Sequence, residues 1–140
     1  MGDRCYLTIR VRTKDVPRTR EILGVDHEYD DPDTDAGDTV WLTNEQANYG
    51  LLEARQELAA AGVDFVGWHG EGGSYSPYVF IAFRGEHLEA PSLTDGHYPC
   101  VEISRDAEPI PEQLAQALRY HRLLDELEEA WSAQTAATPS

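Results

Sequence analysis

The sequence predicts a single α+β domain, in which a largely antiparallel sheet of about five strands is combined with two longer helices and one short helix. Three observations support this fold class. The chain has 140 residues, which is close to the commonest size of one domain. Segments with strand-like alternation and segments with helical periodicity follow one another along it. Their predicted order, β-α-β-α-β-β-β-α, favours antiparallel pairing with the helices on one face of the sheet.

The first strand and the short helix lie near the amino terminus. From Cys5 to Val11 apolar and polar residues alternate, which is typical of a strand with one buried face. Asp15 then provides an N-cap and Gly24 a left-handed C-terminal residue, and these two signals delimit a short helix. The chain is therefore expected to begin with one β-α unit.

A second β-α unit is predicted within residues 39–62. Residues 39–42 have the composition of a brief strand. Thr43 and Gln46 then form a T-x-x-Q capping box, which predicts that a helix begins there. The apolar residues that follow recur three or four positions apart until Gly62, so they form one stripe on this helix.

The second half of the chain is predicted to contain three strands and the longest helix. Residues 63–68 and 78–84 are apolar strands joined by a glycine-rich loop, and residues 99–104 alternate again. The last helix is expected to begin near Pro111 and to end near Trp131. Its expected buried stripe consists of Ile110, Leu114, Ala117, His121, Leu124, Leu127 and Trp131.

The domain organisation and the hydropathy of the chain indicate one cytoplasmic domain. Residues 1–131 are expected to form this domain, and residues 132–140 to form a flexible tail. No apolar run approaches about 18 residues and no signal peptide is evident, so neither secretion nor membrane insertion is expected. Cys5 and Cys100 lack CxxC spacing and are expected to be reduced thiols.

The charge of the chain is strongly negative. Twenty-six carboxylates face eleven basic side chains, so the formal net charge is -15. Phosphate binding depends on Lys and Arg, and direct binding of nucleic acid or of an anionic membrane is therefore not expected. The charge is also uneven, because the first 20 residues hold six basic and two acidic side chains.

The carboxylates concentrate in two segments, which predicts an acidic interaction surface. Residues 26–38 contain seven carboxylates without Lys or Arg, and the last helix carries a second group. If these segments lie close together, they can occupy a basic groove on a partner protein, in the manner of the nucleic-acid mimics of phages and plasmids. The partner is then expected to be a basic, nucleic-acid-binding protein. The predicted contact residues are Asp26, Glu28, Asp30, Asp31, Asp33, Asp35, Asp38, Asp125, Glu126 and Glu129.

Two other interpretations of the charge remain open. An acid-rich composition also arises from adaptation to a salty cytoplasm or from selection for solubility, and the acids then have no partner. In that case an apolar surface would carry the function, for example through homodimerisation along the last helix and Trp131. The basic residues near the amino terminus can also neutralise part of the acidic segment 26–38.

Binding of a divalent cation is a further hypothesis for the acidic segment. Asp31, Asp33 and Asp35 follow the alternating spacing of a calcium-binding turn, because oxygen ligands on every second residue can converge on one cation. An EF-hand, however, requires glycine at its sixth position and glutamate at its twelfth, where this chain has Ala36 and Leu42. No other cofactor is predicted.

The glycine-rich loop after the third predicted strand is the alternative site, for a small ligand. Its candidate residues are His69, Glu71, Ser74 and Tyr75. Glycines allow backbone N–H groups to approach a ligand, and His69 with Glu71 can act as a base and its orienting partner in a hydrolytic reaction. The same composition is also typical of a long hairpin connection. Because no nucleophile has a sequence context that fixes a partner, no catalytic residue is assigned and a non-enzymatic role is favoured.

Overall fold

The predicted α+β class is confirmed by the computed structural model, which describes residues 4–24, 27–30, 39–48, 51–71, 76–92 and 98–137. The helices are α1 (Val16–Leu23), α2 (Leu52–Ala60) and α3 (Pro111–Ala137). The strands are β1 (Arg4–Arg12), β2 (His27–Asp30), β3 (Thr39–Asn48), β4 (Phe65–His69), β5 (Tyr78–Phe83) and β6 (Glu86–Pro91). Within the described residues these six strands form one antiparallel sheet in the order β2-β3-β1-β4-β5-β6.

Helices cover both faces of the sheet, whereas the sequence predicted helices on one face only. The first two helices pack with Leu7, Ile9 and Phe65 in one apolar core. Helix α3 packs on the opposite face, where Val66 and Ile81 belong to a second apolar core. Strands β4 and β5 are therefore buried on both sides, and this explains why their sequences are almost continuously apolar.

Strand β3 is longer than predicted, and the helix after it begins later. Residues 43–48 continue the strand, and Thr43 pairs with Thr8 of β1. The predicted capping box of Thr43 and Gln46 is therefore wrong, because pairing with β1 already satisfies the backbone groups that a helix cap would serve. Helix α2 instead begins after Leu51, whose φ of 55° lies in the left-handed region.

Strand β6 was not predicted from the sequence. It follows β5 through a two-residue turn in which Arg84 and Gly85 both have positive φ, 52° and 85°. Positive φ at both central residues is the signature of the tight turn that matches the twist of a hairpin. Two polar residues of β6, His87 and Glu89, face Arg55 of α2. A strand face that packs against a helix is expected to be apolar. The face of β6 that packs against α2 is polar instead, so the sequence pattern did not predict this strand.

The strand predicted at residues 99–104 is absent from the structure. In this segment Ile103 alone takes part in a β-bridge, with Pro109. The Ile110 N–H donates a hydrogen bond to the Glu102 carbonyl at 2.9 Å, and this bond closes a compact loop in front of α3. The prediction failed because alternation indicates a strand only where one face is buried, and Ile103 is exposed.

Part of the acidic segment forms a strand, although the sequence predicted a loop throughout residues 26–38. Residues 27–30 are the edge strand β2 and pair with β3. This pairing places residues 27–30 next to β3, at the opposite end of the strand order from β6.

Helix α3 confirms the predicted long helix but differs from it in two respects. It continues to Ala137, beyond the predicted end at Trp131. Leu114 and His121, which were predicted to lie in the buried stripe, are exposed. The helix carries apolar residues on more than one side. Helical periodicity therefore predicted a buried stripe that includes residues on a side of the helix that faces solvent. Its buried residues are Ala117, Tyr120, Leu123, Leu127 and Trp131.

Candidate functional site

Helix α3 is fixed to the sheet near both of its ends. In its first half Arg119 forms an ion pair with Glu86 of the edge strand β6. Near its end Trp131 is buried, and the guanidinium carbon of Arg10 in β1 lies 5.0 Å from the centroid of the indole ring. Such a distance is typical of a cation–π contact. The helix thus reaches from the edge strand to a central strand, and its outer side is left facing solvent.

Three of the predicted partner-binding carboxylates lie on this outer side. Asp125, Glu126 and Glu129 are all exposed, and none of them forms an ion pair with another described residue. Glu128 differs from them, because its Oε1 lies 4.0 Å from Nη1 of Arg10. Asp125, Glu126 and Glu129 therefore present exposed carboxylates that form no ion pair with another described residue, and we call them the α3 acidic face.

The α3 acidic face borders a groove next to the end of β5. The groove has a volume of about 320 Å³ and is lined by Phe83, Arg84, Glu126, Glu129, Ala130 and Ala133. Phe83 is buried, and the guanidinium carbon of Arg84 lies 4.7 Å from the centroid of its ring. A side chain that enters this groove meets apolar surface beside two carboxylates and Arg84.

The remaining predicted contact residues belong to the segment before β3. Glu28 and Asp30 lie in β2, at the edge of the sheet opposite β6. The union of the two acidic segments into one continuous surface stays a prediction. Outside the described residues lie Asp26, Asp31, Asp33, Asp35 and Asp38, and with them the predicted cation-binding turn.

A buried polar cluster lies on the other face of the sheet and was not revealed by sequence reasoning. Arg55 of α2 is fully buried, with its Nη1 3.0 Å from Nε2 of His87 and its Nη2 donating to Oε2 of Glu89 at 3.1 Å. The guanidinium carbon lies 4.3 Å from the centroid of the Phe80 ring. We call Arg55, His87 and Glu89 the arginine cluster. It joins α2 to the edge strand β6 through one charged pair and one neutral acceptor.

The geometry of the arginine cluster fixes the protonation state of His87. Because a guanidinium can only donate, Nε2 of His87 must accept the bond from Arg55, and the ring proton lies on Nδ1. Burial lowers the pKa of His87 to about 4, and the positive charge of Arg55 acts in the same direction. Glu89 opposes both effects. His87 is therefore neutral at pH 7.

Replacement of His87 by glutamine is expected to reduce the acid sensitivity of the fold. Between pH 6.5 and about 4 the unfolded chain binds a proton at His87 that the folded chain does not bind, so stability falls as the pH falls. A glutamine at this position can accept the bond from Arg55 but does not titrate. The midpoint of thermal unfolding, measured from pH 7 to pH 4, should therefore fall less steeply in His87→Gln than in the wild type. Parallel profiles for the two proteins would contradict this assignment.

His69, from the predicted ligand site, is buried at the end of β4. Its Nδ1 donates to the carbonyl of Gly70 at 2.9 Å, and its ring centroid lies 5.7 Å from that of Tyr78 and 6.4 Å from that of Phe80. Burial lowers the pKa of His69, although the bond to Gly70 raises it. His69 thus shares the Phe80 ring with Arg55, on the same face of the sheet.

The other residues of the predicted ligand site are placed differently. Glu71 is exposed, whereas His69 is in the interior. Ser74 and Tyr75 lie outside the described residues. The pairing of His69 with Glu71 as a base and its orienting partner therefore stays a prediction.

The described parts of the chain contain no group of three or more His, Cys, Asp or Glu side chains arranged to hold a metal ion, and Cys5 and Cys100 are free thiols. No helix in those parts is both long enough and apolar enough to cross a lipid bilayer. Comparison with known proteins finds no matching family model, no matching curated protein and no matching solved structure. A functional proposal must therefore depend on the geometry and charge of this chain.

Proposed function

We propose that this chain is a non-enzymatic acidic interaction protein, which uses the α3 acidic face to occupy a basic groove on a partner protein that otherwise binds nucleic acid. The observation that carries the proposal is the exposure of Asp125, Glu126 and Glu129 on one side of α3 without an ion pair among the described residues. Carboxylates that are not matched within their own fold are available to Lys and Arg side chains of another protein.

The density of charge along α3 supports mimicry of nucleic acid. The three carboxylates of the α3 acidic face lie between Asp125 and Glu129, a stretch that spans about 6 Å of helix axis. Duplex DNA carries one negative charge per about 1.7 Å of its axis. Over this stretch the helix therefore offers a basic groove a charge density close to that of a duplex.

The position of these carboxylates also argues against a role in helix stability. Asp125 and Glu129 are four residues apart, and Glu126 and Glu129 are three apart, so like charges face one another and disfavour the helix by about 0.2–0.5 kcal/mol per pair. Arg122, which lies three residues before Asp125 and four before Glu126, offsets part of this cost. Repulsion between these carboxylates in the free protein would be relieved if the Lys and Arg side chains of a partner pair with them.

The arginine cluster, in contrast, is explained by the fold itself. Arg55 is balanced by Glu89, and His87 is held neutral as a hydrogen-bond acceptor. Buried polar groups that satisfy one another in this way are the rule in folded domains. The small-ligand hypothesis at His69 is the second candidate, because the Nδ1 of this buried histidine is likewise bonded within the fold, to the Gly70 carbonyl.

Neutralisation of the α3 acidic face is expected to weaken salt-sensitive binding. In the triple variant Asp125→Asn/Glu126→Gln/Glu129→Gln, each lost contact removes about 0.5–1 kcal/mol, so a partner should bind about tenfold to a hundredfold more weakly. The wild type, immobilised and exposed to an extract of the cells that produce it, should retain a basic protein. Raised salt and added duplex DNA should both release that protein.

A matched control separates the α3 acidic face from total charge. Glu21, Glu53 and Glu57 are exposed on α1 and α2, on the opposite face of the sheet. The variant Glu21→Gln/Glu53→Gln/Glu57→Gln changes the net charge by the same amount and should retain the partner fully. Equal loss in both triple variants would show that only net charge matters, and retention by both would remove the proposed site.

A further inference from the structure

Large apolar side chains are exposed on α3 in line with its acidic face. Leu118 has 59% of its surface exposed and Leu114 has 38%. Ile103, with 69% exposed, lies in the compact loop that the Ile110–Glu102 hydrogen bond holds in front of the helix. Single exposed apolar residues are common, but several together beside a polar rim are typical of a binding surface.

The apolar and acidic residues lie on one side of the helix, and the exposed side chains of His121 and Arg122 separate the apolar pair from the acidic pair. Leu114, Leu118, Asp125 and Glu129 succeed one another at intervals of four, seven and four residues, which keeps them on the same side of an α-helix. Together these four residues form a stripe whose first half is apolar and whose second half is acidic. From Leu118 to Asp125 the rise is about 10 Å, or two helical turns.

We infer that α3 binds an amphipathic basic helix of a partner protein, whose apolar side chains pack on Leu114 and Leu118 while its Lys and Arg side chains pair with the α3 acidic face. The inference rests on the proposed function and specifies the kind of partner. Charge alone would provide attraction and orientation, whereas burial of apolar surface provides affinity that salt does not screen. A helix that presents both classes of side chain is complementary to both halves of the stripe.

A second copy of this chain does not match the stripe. If two α3 helices paired in parallel, each acidic half would face the other acidic half. If they paired antiparallel, each acidic half would face Leu114 and Leu118 of the other copy. In both arrangements the carboxylates are buried or crowded without a cation, and two chains of charge -15 repel each other.

The test uses two synthetic peptides of equal length and equal positive charge. The first is an amphipathic helix with leucines in one half and lysines in the other half. The second replaces its leucines with glutamines. Their binding to the full-length protein is measured by fluorescence anisotropy at several salt concentrations. The Leu114→Gln/Leu118→Gln variant keeps helix propensity but removes the apolar half of the stripe, and Tyr6→Gln, at an exposed aromatic residue of β1, is the control.

The wild type and Tyr6→Gln are expected to bind the leucine peptide at least about tenfold more tightly than the glutamine peptide. In Leu114→Gln/Leu118→Gln the two affinities should become equal, while the dependence on salt is unchanged. The triple variant of the α3 acidic face should instead weaken both peptides and flatten the salt dependence.

The possible failures are distinguishable. Equal binding of both peptides by the wild type would overturn the apolar contact, yet the proposed function would survive if the triple variant still weakened both. If the triple variant binds as the wild type does, the proposed function fails as well. A dimer in sedimentation that Leu114→Gln/Leu118→Gln dissociates would overturn the inference in favour of a second copy.

Discussion

Replacement of Gly67 by alanine is expected to prevent stable folding, with a loss of more than about 3 kcal/mol in the free energy of unfolding. A Cβ atom at this position would lie 2.1 Å from the Thr8 carbonyl oxygen and 2.9 Å from both the Ile9 Cα and the Phe80 ring. Two of these atoms belong to the backbone of β1, which is paired on both sides and cannot move away. Circular dichroism and urea denaturation of Gly67→Ala measure this effect.

Gly70 provides a matched control for this substitution. A Cβ at Gly70 would lie 3.9 Å from the Tyr6 carbonyl oxygen, which is ordinary van der Waals contact. Gly70→Ala should therefore change the free energy of unfolding by less than about 1 kcal/mol. A Gly67→Ala protein that unfolds at the same urea concentration as Gly70→Ala would show that β4 does not approach β1 closely enough at Gly67 to exclude a Cβ atom.

The requirement for glycine at position 67 connects the sheet to the arginine cluster. Without a Cβ on β4, the ring of Phe80 can lie against the strand, and the guanidinium of Arg55 then stacks on that ring. Gly67, the Phe80 ring and the Arg55 guanidinium thus lie one above the other between β4 and α2. A substitution at Gly67 is expected to disturb the arginine cluster as well as the sheet.

The parts of the fold that could be predicted are those in which burial and sequence pattern coincide. β1 is one example, because Leu7, Ile9 and Val11 all enter the first apolar core as their alternation indicated. The carboxylates of α3 are another, since acidic residues near the end of a long helix were expected to be exposed. In both cases a local rule and the tertiary environment point in the same direction.

The parts that could not be predicted are those in which tertiary contacts override a local pattern. The turn before β6 uses Arg84 and Gly85 rather than the Asn-Gly or Asp-Gly that marks most tight hairpins. The polar residues of β6 face inward because Arg55 lies opposite them. One signal did exist, since Arg55 is three residues before Leu58 and so on the same side of α2, where an arginine needs an acidic partner.

The candidate site was predicted only in part for a related reason. Leu114 was expected in the core because it fits a helical stripe, yet Tyr120 and Leu123 occupy the side that faces the sheet. Periodicity does not distinguish between two apolar flanks of one helix. The error is informative, because the apolar residues that α3 exposes to solvent are the ones that the proposed partner would cover.

Replacement of Glu89 by alanine is expected to destabilise the fold by about 3 kcal/mol, since it leaves the buried Arg55 charge without its counter-ion. The Nη2–Oε2 distance is 3.1 Å, and the Arg55 side chain is almost completely buried whereas the Glu89 side chain is 29% exposed, so the pair is partly desolvated, in contrast to the exposed pair of Arg119 and Glu86. Removal of Glu86 by the same substitution should cost less than about 1 kcal/mol. Urea denaturation of the two single variants provides the comparison.

A second substitution shows whether the cost arises from the stranded charge. In Arg55→Met/Glu89→Ala the buried cation is gone, and methionine can fill the space over Phe80. The double variant should therefore be more stable than Glu89→Ala alone, which makes the coupling between the two positions strongly non-additive. If the double variant is instead less stable than the wild type by the sum of the losses in Glu89→Ala and Arg55→Met, the two side chains do not interact, and the arginine cluster is not the link between α2 and β6.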